Sequence, residues 1–542
     1  MKGLSPETRS VLKQMDPLTL LALKILPPSL IESNLNHTTN EDITTEEVDL
    51  GWRKNGKDFD AWEKRNDLKL FNRNVSSEFK TSFLGEDDFF GKFTCIDNLT
   101  QKGMRSTFLF PMKDKILLAE SIDQAQRIAE DLELVEGKAL PKSYHSDFDM
   151  LSDESFSRTF FYSIFAPLVA KQKPDDPSVR SDLGPFVVDL PLQHLKVRKN
   201  FRPYGARIHF GQDQKVTAIF DYFKDELVKP GDETWEATKL LAKITAFTLL
   251  TAREHLIWSH LILSNTVTKE KTLELPPSHA IRRLLTIFTY RTTEVNSSAF
   301  GTLVNKTAIL HRALALEFES MQEVFDMAYT ECNIYKPFPD HALAPEIKAL
   351  CEENKFPYIT QGKAYWYIVH KFVSAWITKS GDVARDQQAM AFYENMRKSS
   401  KGQAYEIPEY TSDSDMINLI TQVIFTVTAY HELVGSVVDY IKLPDKAGFR
   451  VLEDDDGSMI DIQSWLLGCL IGATTSVRMP QLNRKFDNFF GVGGAPDWER
   501  SVWDDFLNDL NEQSKIVQEA DTNRNVEFKY FDPERFECSI SV

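Results

Sequence analysis

Two long segments of the chain are apolar around almost their whole circumference. The first begins at Trp235 and reads WEATKLLAKITAFTLLTAREHLIWSHLIL, and the second runs from about Ile417 to Ile441. A surface helix carries an apolar stripe on one face only, whereas a helix that is apolar on all sides is buried inside a large protein. The pattern therefore predicts two buried central helices.

The remaining pattern predicts a mainly α fold with minor β structure. A third apolar helix is predicted from Ala364 to Ile377 and an amphipathic helix from Trp503 to Ile516, after which the tail FECSISV is irregular. Residues 1–190 mix short helical and strand-like pieces with polar breaks typical of loops. We expect a single domain over residues 1–542, with a mixed N-terminal part (1–190) and a helical bundle around the two buried helices (191–542).

Charge excludes some classes of partner. The formal net charge of −17 over 542 residues opposes binding to nucleic acid, and leaves at most a peripheral contact with membranes. The most basic stretch, Lys196 to Arg202, is short and is interpreted as a solvated strand or loop. The N-terminus lacks the apolar segment of a signal peptide, and five scattered cysteines do not indicate a disulfide framework, so a cytoplasmic protein is expected.

Histidines inside the apolar helices are the candidate chemistry. His255 and His260 lie on the first helix and His431 lies on the second. A buried imidazole needs a partner for each ring nitrogen, which a hydrogen bond, a metal or a polar cavity can provide. Residues five apart on an ideal α-helix point roughly 140° away from each other. His255 and His260 can therefore share one metal only if the helix is locally widened to π geometry.

Other catalytic motifs are missing from the sequence. It contains no HExxH, no GxSxG and no phosphate-binding glycine loop, and its Cys and His residues do not have zinc-site spacing. Imidazole and carboxylate ligands with open positions are typical of non-haem iron sites.

At these residues the sequence resembles the lipoxygenases. The family has LLAK-like residues before a His-x4-His-x4-His run, of which the second and third histidines bind iron. In this chain, Leu240–Lys243 is followed by His255, His260 and Asn265. The segment SHAIRRLLTIFTYRTTEVNSSA is similar to a segment of the family, with His279, Leu284, Leu285 and Asn296 matching. AYHELVG aligns His431 with the iron ligand of the second helix, and ISV matches the family's C-terminal end.

The resemblance implies a lipoxygenase-like catalytic domain without the N-terminal β-sandwich domain, and a metal site. In the register counted from Leu240–Lys243, the expected ligands are His260, Asn265, His431 and the main-chain carboxylate of Val542. In the alternative register, His255 replaces Asn265. The expected metal is iron, with manganese as the second choice.

Several positions depart from the family pattern. Asn265 replaces a ligand histidine in the first register, and Gly435 stands where the family has Asn, His or Ser. Leu256 and Val438 replace glutamines that organise the surroundings of the metal. Since such neighbours orient ligands and tune the metal, these changes are expected to alter the site.

The implied function is dioxygenation of a polyunsaturated fatty acid with O2. Ala299 occupies a position associated in the family with product stereochemistry, and Leu303 would line the same cavity. Two alternatives stay open: a non-haem iron oxygenase acting on another lipid-like or secondary-metabolite substrate through a two-histidine, one-carboxylate site, and a non-catalytic lipid-binding descendant.

Overall fold

The computed structural model describes selected parts of the chain. These are residues 122–131, 152–170, 181–276, 278–290, 292, 295–296, 303, 309–331, 333–338, 356–441, 447–453, 464–465, 468–469, 481–483, 485–486, 490, 496–524 and 527–540.

Helices form most of the described part of the chain. In order they are α1 (Ile122–Asp131), α2 (Asp153–Phe161), α3 (Ala166–Ala170), α4 (Trp235–Leu249), α5 (Asn265–Glu274), α6 (Ala280–Phe288), α7 (Ile309–Ala313), α8 (Phe318–Glu331), α9 (Pro357–Ser380), α10 (Gln387–Ser399), α11 (Asp413–Phe425), α12 (His431–Gly435), α13 (Val437–Ile441) and α14 (Asp497–Thr522). The mainly α fold is thereby confirmed.

Four antiparallel strands form a sheet in the sequence order β1 (Phe186–Leu190), β2 (Ala206–Phe210), β3 (Val216–Asp221) and β4 (Glu226–Val228). Phe186 pairs with Phe210, and Ala206 pairs with Asp221. Successive residues of a strand point to opposite sides, and most residues of β1, β2 and β3 are buried, so both faces of the sheet are largely covered. The sheet packs against α4, the first part of the first buried helix.

The first buried helix has a long π segment at its centre. Helix α4 continues directly into π1 (Leu250–Ser264), which continues into α5. Nearly every side chain from Leu240 to Thr268 is buried, as its apolar sequence predicts. Buried hydroxyls such as those of Thr245 and Ser264 donate to carbonyl oxygens four residues earlier, so they are satisfied within the helix.

The second buried helix also contains π geometry. Helix α11 is followed by π2 (Thr426–Tyr430) and then by α12, which ends at Gly435. Ser412 and Asp415 cap the start of α11 with a capping box. Helix α9 packs against α11 and α14, while π1 packs against α8, α12 and π2. The two histidine-bearing helices therefore lie side by side in the core.

The stretch from Lys196 to Arg202 is exposed or half-buried, as predicted for a solvated segment, except at its last residue. Arg202 is only 4% exposed, and its guanidinium pairs with the buried carboxylate of Asp221 at 2.8 Å. The sequence could not indicate this pairing because the two residues meet only after the sheet has formed. In the described part of the chain, no helix has the length and apolarity that a membrane span requires.

The division into a mixed part (1–190) and a helical core (191–542) stays a prediction. Most of residues 1–190 lie outside the described residues. Three of the four strands lie within the predicted helical core (191–542), where the sequence predicts a helical bundle with only minor β structure.

Candidate metal centre

Three histidine side chains converge between the two buried helices. The Nε2 atom of His260 lies 3.1 Å from Nε2 of His255 and 2.9 Å from Nε2 of His431, and the latter two atoms are 3.2 Å apart. The residues are 5%, 1% and 3% exposed for His255, His260 and His431, respectively. Among the described residues, this is the group of His, Cys, Asp or Glu side chains that could hold a metal ion.

The π segment explains why two histidines five residues apart share one side of a helix. His255 and His260 both lie in π1, whose hydrogen bonds span five residues instead of four. Such a helix has more residues per turn, so the fifth residue returns almost to the same side. The Ser259 hydroxyl also donates to the Glu254 carbonyl five residues earlier. The local π geometry that the five-residue spacing of His255 and His260 requires is therefore present.

Asn296 fixes the orientation and protonation of His260. Its Oδ1 lies 3.0 Å from His260 Nδ1, while its Nδ2 donates to the His260 carbonyl, the Ser264 hydroxyl and Asn265 Oδ1. An amide oxygen only accepts, so His260 Nδ1 must carry the proton. The neutral ring then directs the lone pair of Nε2 toward the other two histidines, as a metal ligand must.

The side chain of Asn265 forms hydrogen bonds with Asn296 and with the backbone of Leu261. Its Oδ1 accepts a 2.7 Å hydrogen bond from Asn296, and its Nδ2 donates to the Leu261 carbonyl at 3.0 Å. Asn265 lies five residues beyond His260, near the end of π1, and its side-chain oxygen is used by Asn296. The structure thus brings His255 together with His260 and His431, while the Asn265 side chain bonds to Asn296 and to the Leu261 carbonyl.

Gly435 lies against the His255 ring. A Cβ atom built at Gly435 would be 3.1 Å from His255 Nε2 and 3.5 Å from the ring carbons Cδ2 and Cε1. The contact to Nε2 is shorter than most Cβ contacts in proteins, so the imidazole would have to shift slightly to accept a larger residue. The glycine therefore supplies no ligand side chain and allows α12 to approach His255 closely.

The other predicted site residues are less fully described. Ala299 and Val542, as well as the side chain of Val438, lie outside the described residues. Leu303 is half-buried and packs against the hydrophobic core, and Leu256 is buried within it.

The C-terminal segment runs into the core. The Leu482 N–H donates to the Phe536 carbonyl, Ser539 Oγ donates to the Tyr290 carbonyl at 2.8 Å, and Ile540 is fully buried. The irregular tail predicted from sequence is thus anchored inside the protein as far as residue 540.

The donor set fits a first-row transition metal. Two nitrogens about 2.1 Å from one ion, in adjacent positions of an octahedron, are separated by roughly 3 Å. The three measured Nε2 separations, 2.9, 3.1 and 3.2 Å, have this size. Imidazole nitrogen is a ligand for iron, whereas manganese prefers oxygen-rich sites. Three converging imidazoles therefore suit iron better than manganese.

Comparisons with known proteins agree with the fold. No protein-family model matches the chain. The chain is 21% identical over 374 residues to the arachidonate 12-lipoxygenase, 12R-type, of Rattus norvegicus, covering 62% of this chain and 51% of that protein. The Mus musculus protein of the same name gives the same identity and coverage. The chain thus spans about half the length of the curated relatives it matches.

Solved lipoxygenase structures are similar over most of the chain. A coral 8R-lipoxygenase matches with a TM-score of 0.66 and 16% identity, covering 82% of this chain and 72% of its own. A calcium-dependent 11R-lipoxygenase matches with a TM-score of 0.68 and 14% identity, covering 90% of this chain and 80% of its own. The chain has the lipoxygenase fold, and the predicted resemblance to the lipoxygenases is confirmed. The predicted lack of an N-terminal β-sandwich stays a prediction, because residues 1–121 lie outside the described residues.

Proposed function

We propose that this protein is a lipoxygenase-like non-haem iron dioxygenase that adds O2 to a polyunsaturated fatty acid. The observation that carries the proposal is the convergence of three buried histidine Nε2 atoms within 3.2 Å of one another. The lipoxygenase fold in which they lie supports the same conclusion.

The proposed iron ligands are His255, His260 and His431. We replace Asn265 by His255 because the Asn265 side chain bonds to Asn296 and Leu261, whereas the His255 ring faces the other two histidines. The main-chain carboxylate of Val542 remains a predicted fourth ligand. The burial of Ser539 and Ile540 is consistent with it, although Val542 itself lies outside the described residues.

The protein contributes orientation and a dry environment. When bound, iron supplies the one-electron chemistry that removes a bis-allylic hydrogen and allows O2 to add to the substrate radical. Asn296 holds the His260 ring with its Nδ1 protonated and its Nε2 lone pair directed at the cluster. Leu256 and Leu261, which directly follow His255 and His260 in the chain, are buried in the hydrophobic core, and the three histidines are at most 5% exposed. A site this buried would hold little water around the reacting groups.

A fatty-acid substrate is the second part of the proposal. The curated relatives carry arachidonate in their names, and one lipoxygenase of similar fold was crystallised with arachidonate, with a TM-score of 0.64, 16% identity and coverage of 82% of this chain and 73% of its own. A long apolar chain also suits an interior lined with hydrophobic side chains. Leu303 and Ala299 stay predicted cavity residues.

The experiment is a combined metal and substrate assay. Purified protein is reconstituted with iron and mixed with linoleate or arachidonate while O2 consumption and conjugated-diene absorbance are followed. The proposal predicts that both signals appear and require iron. If the protein binds iron but gives neither signal with any polyunsaturated fatty acid, the proposed substrate class is wrong. If the protein binds no metal, the proposal that it is an iron-dependent enzyme is wrong.

One observation favours a second candidate function, an iron oxygenase for a different substrate. Gly435 offers no ligand where the lipoxygenases place Asn, His or Ser, and α12 lies directly against His255 there. The altered ligand set would suit a substrate that itself binds the metal. Under this candidate, O2 consumption would follow addition of a chelating lipid-like compound but would not follow addition of linoleate.

A further inference from the structure

A buried carboxylate joins the two helices that carry the histidine cluster. Glu254 is 2% exposed, and its Oε2 accepts a 2.6 Å hydrogen bond from the hydroxyl of Tyr430, which is 7% exposed. Glu254 belongs to π1 and Tyr430 is the last residue of π2. This hydrogen bond therefore connects the two π segments directly.

The negative charge of Glu254 is compensated on its other oxygen. Arg253 donates from Nε to Glu254 Oε1 at 2.9 Å, and its Nη1 donates to Glu331 Oε2 at 2.6 Å. The Glu331 side chain is 47% exposed, so the network leads from the core to the surface of α8. A buried carboxylate is costly unless it is paired and hydrogen-bonded, and here both oxygens have donors.

The position of this bond in the chain gives it a role at the cluster. Glu254 directly precedes His255, and Tyr430 directly precedes His431. His260, the third member, is held separately by Asn296. A bond one residue away from both His255 and His431 restrains the distance between their backbones, and hence between their Nε2 atoms, which are 3.2 Å apart.

We propose that the Glu254–Tyr430 hydrogen bond, braced by Arg253, is a positioning pair that sets the geometry of His255 and His431 in the metal centre. The proposal deepens the proposed function and rests on it. Glu254 and Tyr430 act through the neighbouring histidines, so they are positioning residues. Loss of a hydrogen-bond partner that contacts a ligand directly typically weakens metal binding about 10- to 100-fold, so we expect the lower end of that range for a pair that acts one residue away from the ligands.

The test compares two ways of changing the pair with a matched control. Tyr430→Phe removes the hydroxyl, and Glu254→Gln keeps an acceptor oxygen whereas Glu254→Ala does not. The control is Tyr335→Phe. Tyr335 donates a 2.8 Å hydrogen bond to Asp415, which lies at the start of α11, so this bond reaches the second buried helix at a point outside the histidine cluster. Iron affinity is measured by chelator competition, and the visible spectrum is measured on Co(II)-substituted protein.

The proposal predicts about tenfold weaker iron binding and shifted Co(II) bands for Tyr430→Phe and Glu254→Ala. Glu254→Gln should recover most of the affinity, and Tyr335→Phe should change neither property even where it lowers Tm equally. Unchanged affinity and spectrum in Tyr430→Phe would overturn the proposal. The same changes in Tyr335→Phe would overturn it too, since they would mark a general loss of stability.

A second measurement does not depend on bound metal. In metal-free protein with 15N-labelled histidines, the proposal predicts that Tyr430→Phe shifts the ring signals of His255 and His431, whereas Tyr335→Phe leaves them in place. Failure of wild-type protein to bind any metal would refute the proposed function, while the ring signals would still decide whether the pair positions the histidines. Unmoved signals would refute the positioning role.

Discussion

The side chain of Asn296 holds His260 at both its ring and its backbone: Oδ1 lies 3.0 Å from His260 Nδ1, and Nδ2 donates to the His260 carbonyl at 2.8 Å. One amide thereby fixes the position of the ring, its tautomer and the widened backbone around it. The residue was matched to the lipoxygenases by sequence, but its role became visible only from the contacts.

Replacing Asn296 tests this arrangement. Asn296→Ala removes the acceptor that selects the Nδ1-protonated tautomer, so we expect iron affinity to fall about 10- to 100-fold. Chelator competition measures the effect. The control is Asn333→Ala, which removes another buried asparagine whose hydrogen bonds lie within its own turn at Tyr335 and Lys336. Equal losses in both variants would show that Asn296 has no particular role at the metal.

Because Gly435 lies against the His255 ring, we expect that adding a single methyl group at this position weakens iron binding. In Gly435→Ala the new Cβ would lie 3.1 Å from His255 Nε2, so the ring must shift by a few tenths of an ångström. Overpacking costs about 1–3 kcal/mol, while alanine in a helix regains about 0.5–1 kcal/mol over glycine. We expect weaker iron binding with a small change in Tm. Iron affinity equal to wild type would mean that α12 can move away freely.

The burial of the C-terminal segment predicts low thiol reactivity. Cys538 is 1% exposed, and burial, together with the charge of Glu537, raises the pKa of its thiol. The reactive thiolate is therefore scarce, since alkylation requires both deprotonation and access. At pH 8, iodoacetamide should leave Cys538 unmodified in native protein and label it in denaturant, as peptide mass spectrometry can show. Rapid native labelling would contradict the buried tail.

The sequence predicts the buried helices well because the apolar pattern that identifies them lies within consecutive residues of the chain. The apolar residues of π1 and α11 surround each helix on all sides, and the spacing of His255 and His260 indicated what kind of helix could bring them together. The choice between registers was harder. Counting from Leu240–Lys243 favoured Asn265, but the distance along a helix does not reveal where a side chain finds its hydrogen-bond partner.

Long-range contacts could not be predicted. Tyr430 and Glu254 are 176 residues apart, and Arg202 meets Asp221 only in the folded sheet. No periodicity marks such pairs, because each member alone looks like an ordinary charged or aromatic residue. The close approach of Gly435 to His255 is of the same kind, and the sequence could indicate only that a ligand side chain was missing there.

The central claim is that His255, His260 and His431 form the iron site. Its most direct test is the iron content of four proteins reconstituted under the same conditions: wild type, His255→Gln, Asn265→Ala and His209→Gln. His209 is a buried histidine of β2 and controls for the loss of an interior imidazole. We predict about one iron per chain in wild type, Asn265→Ala and His209→Gln, and at least a tenfold loss in His255→Gln. Full iron content in His255→Gln together with loss in Asn265→Ala would contradict the account and support the other register.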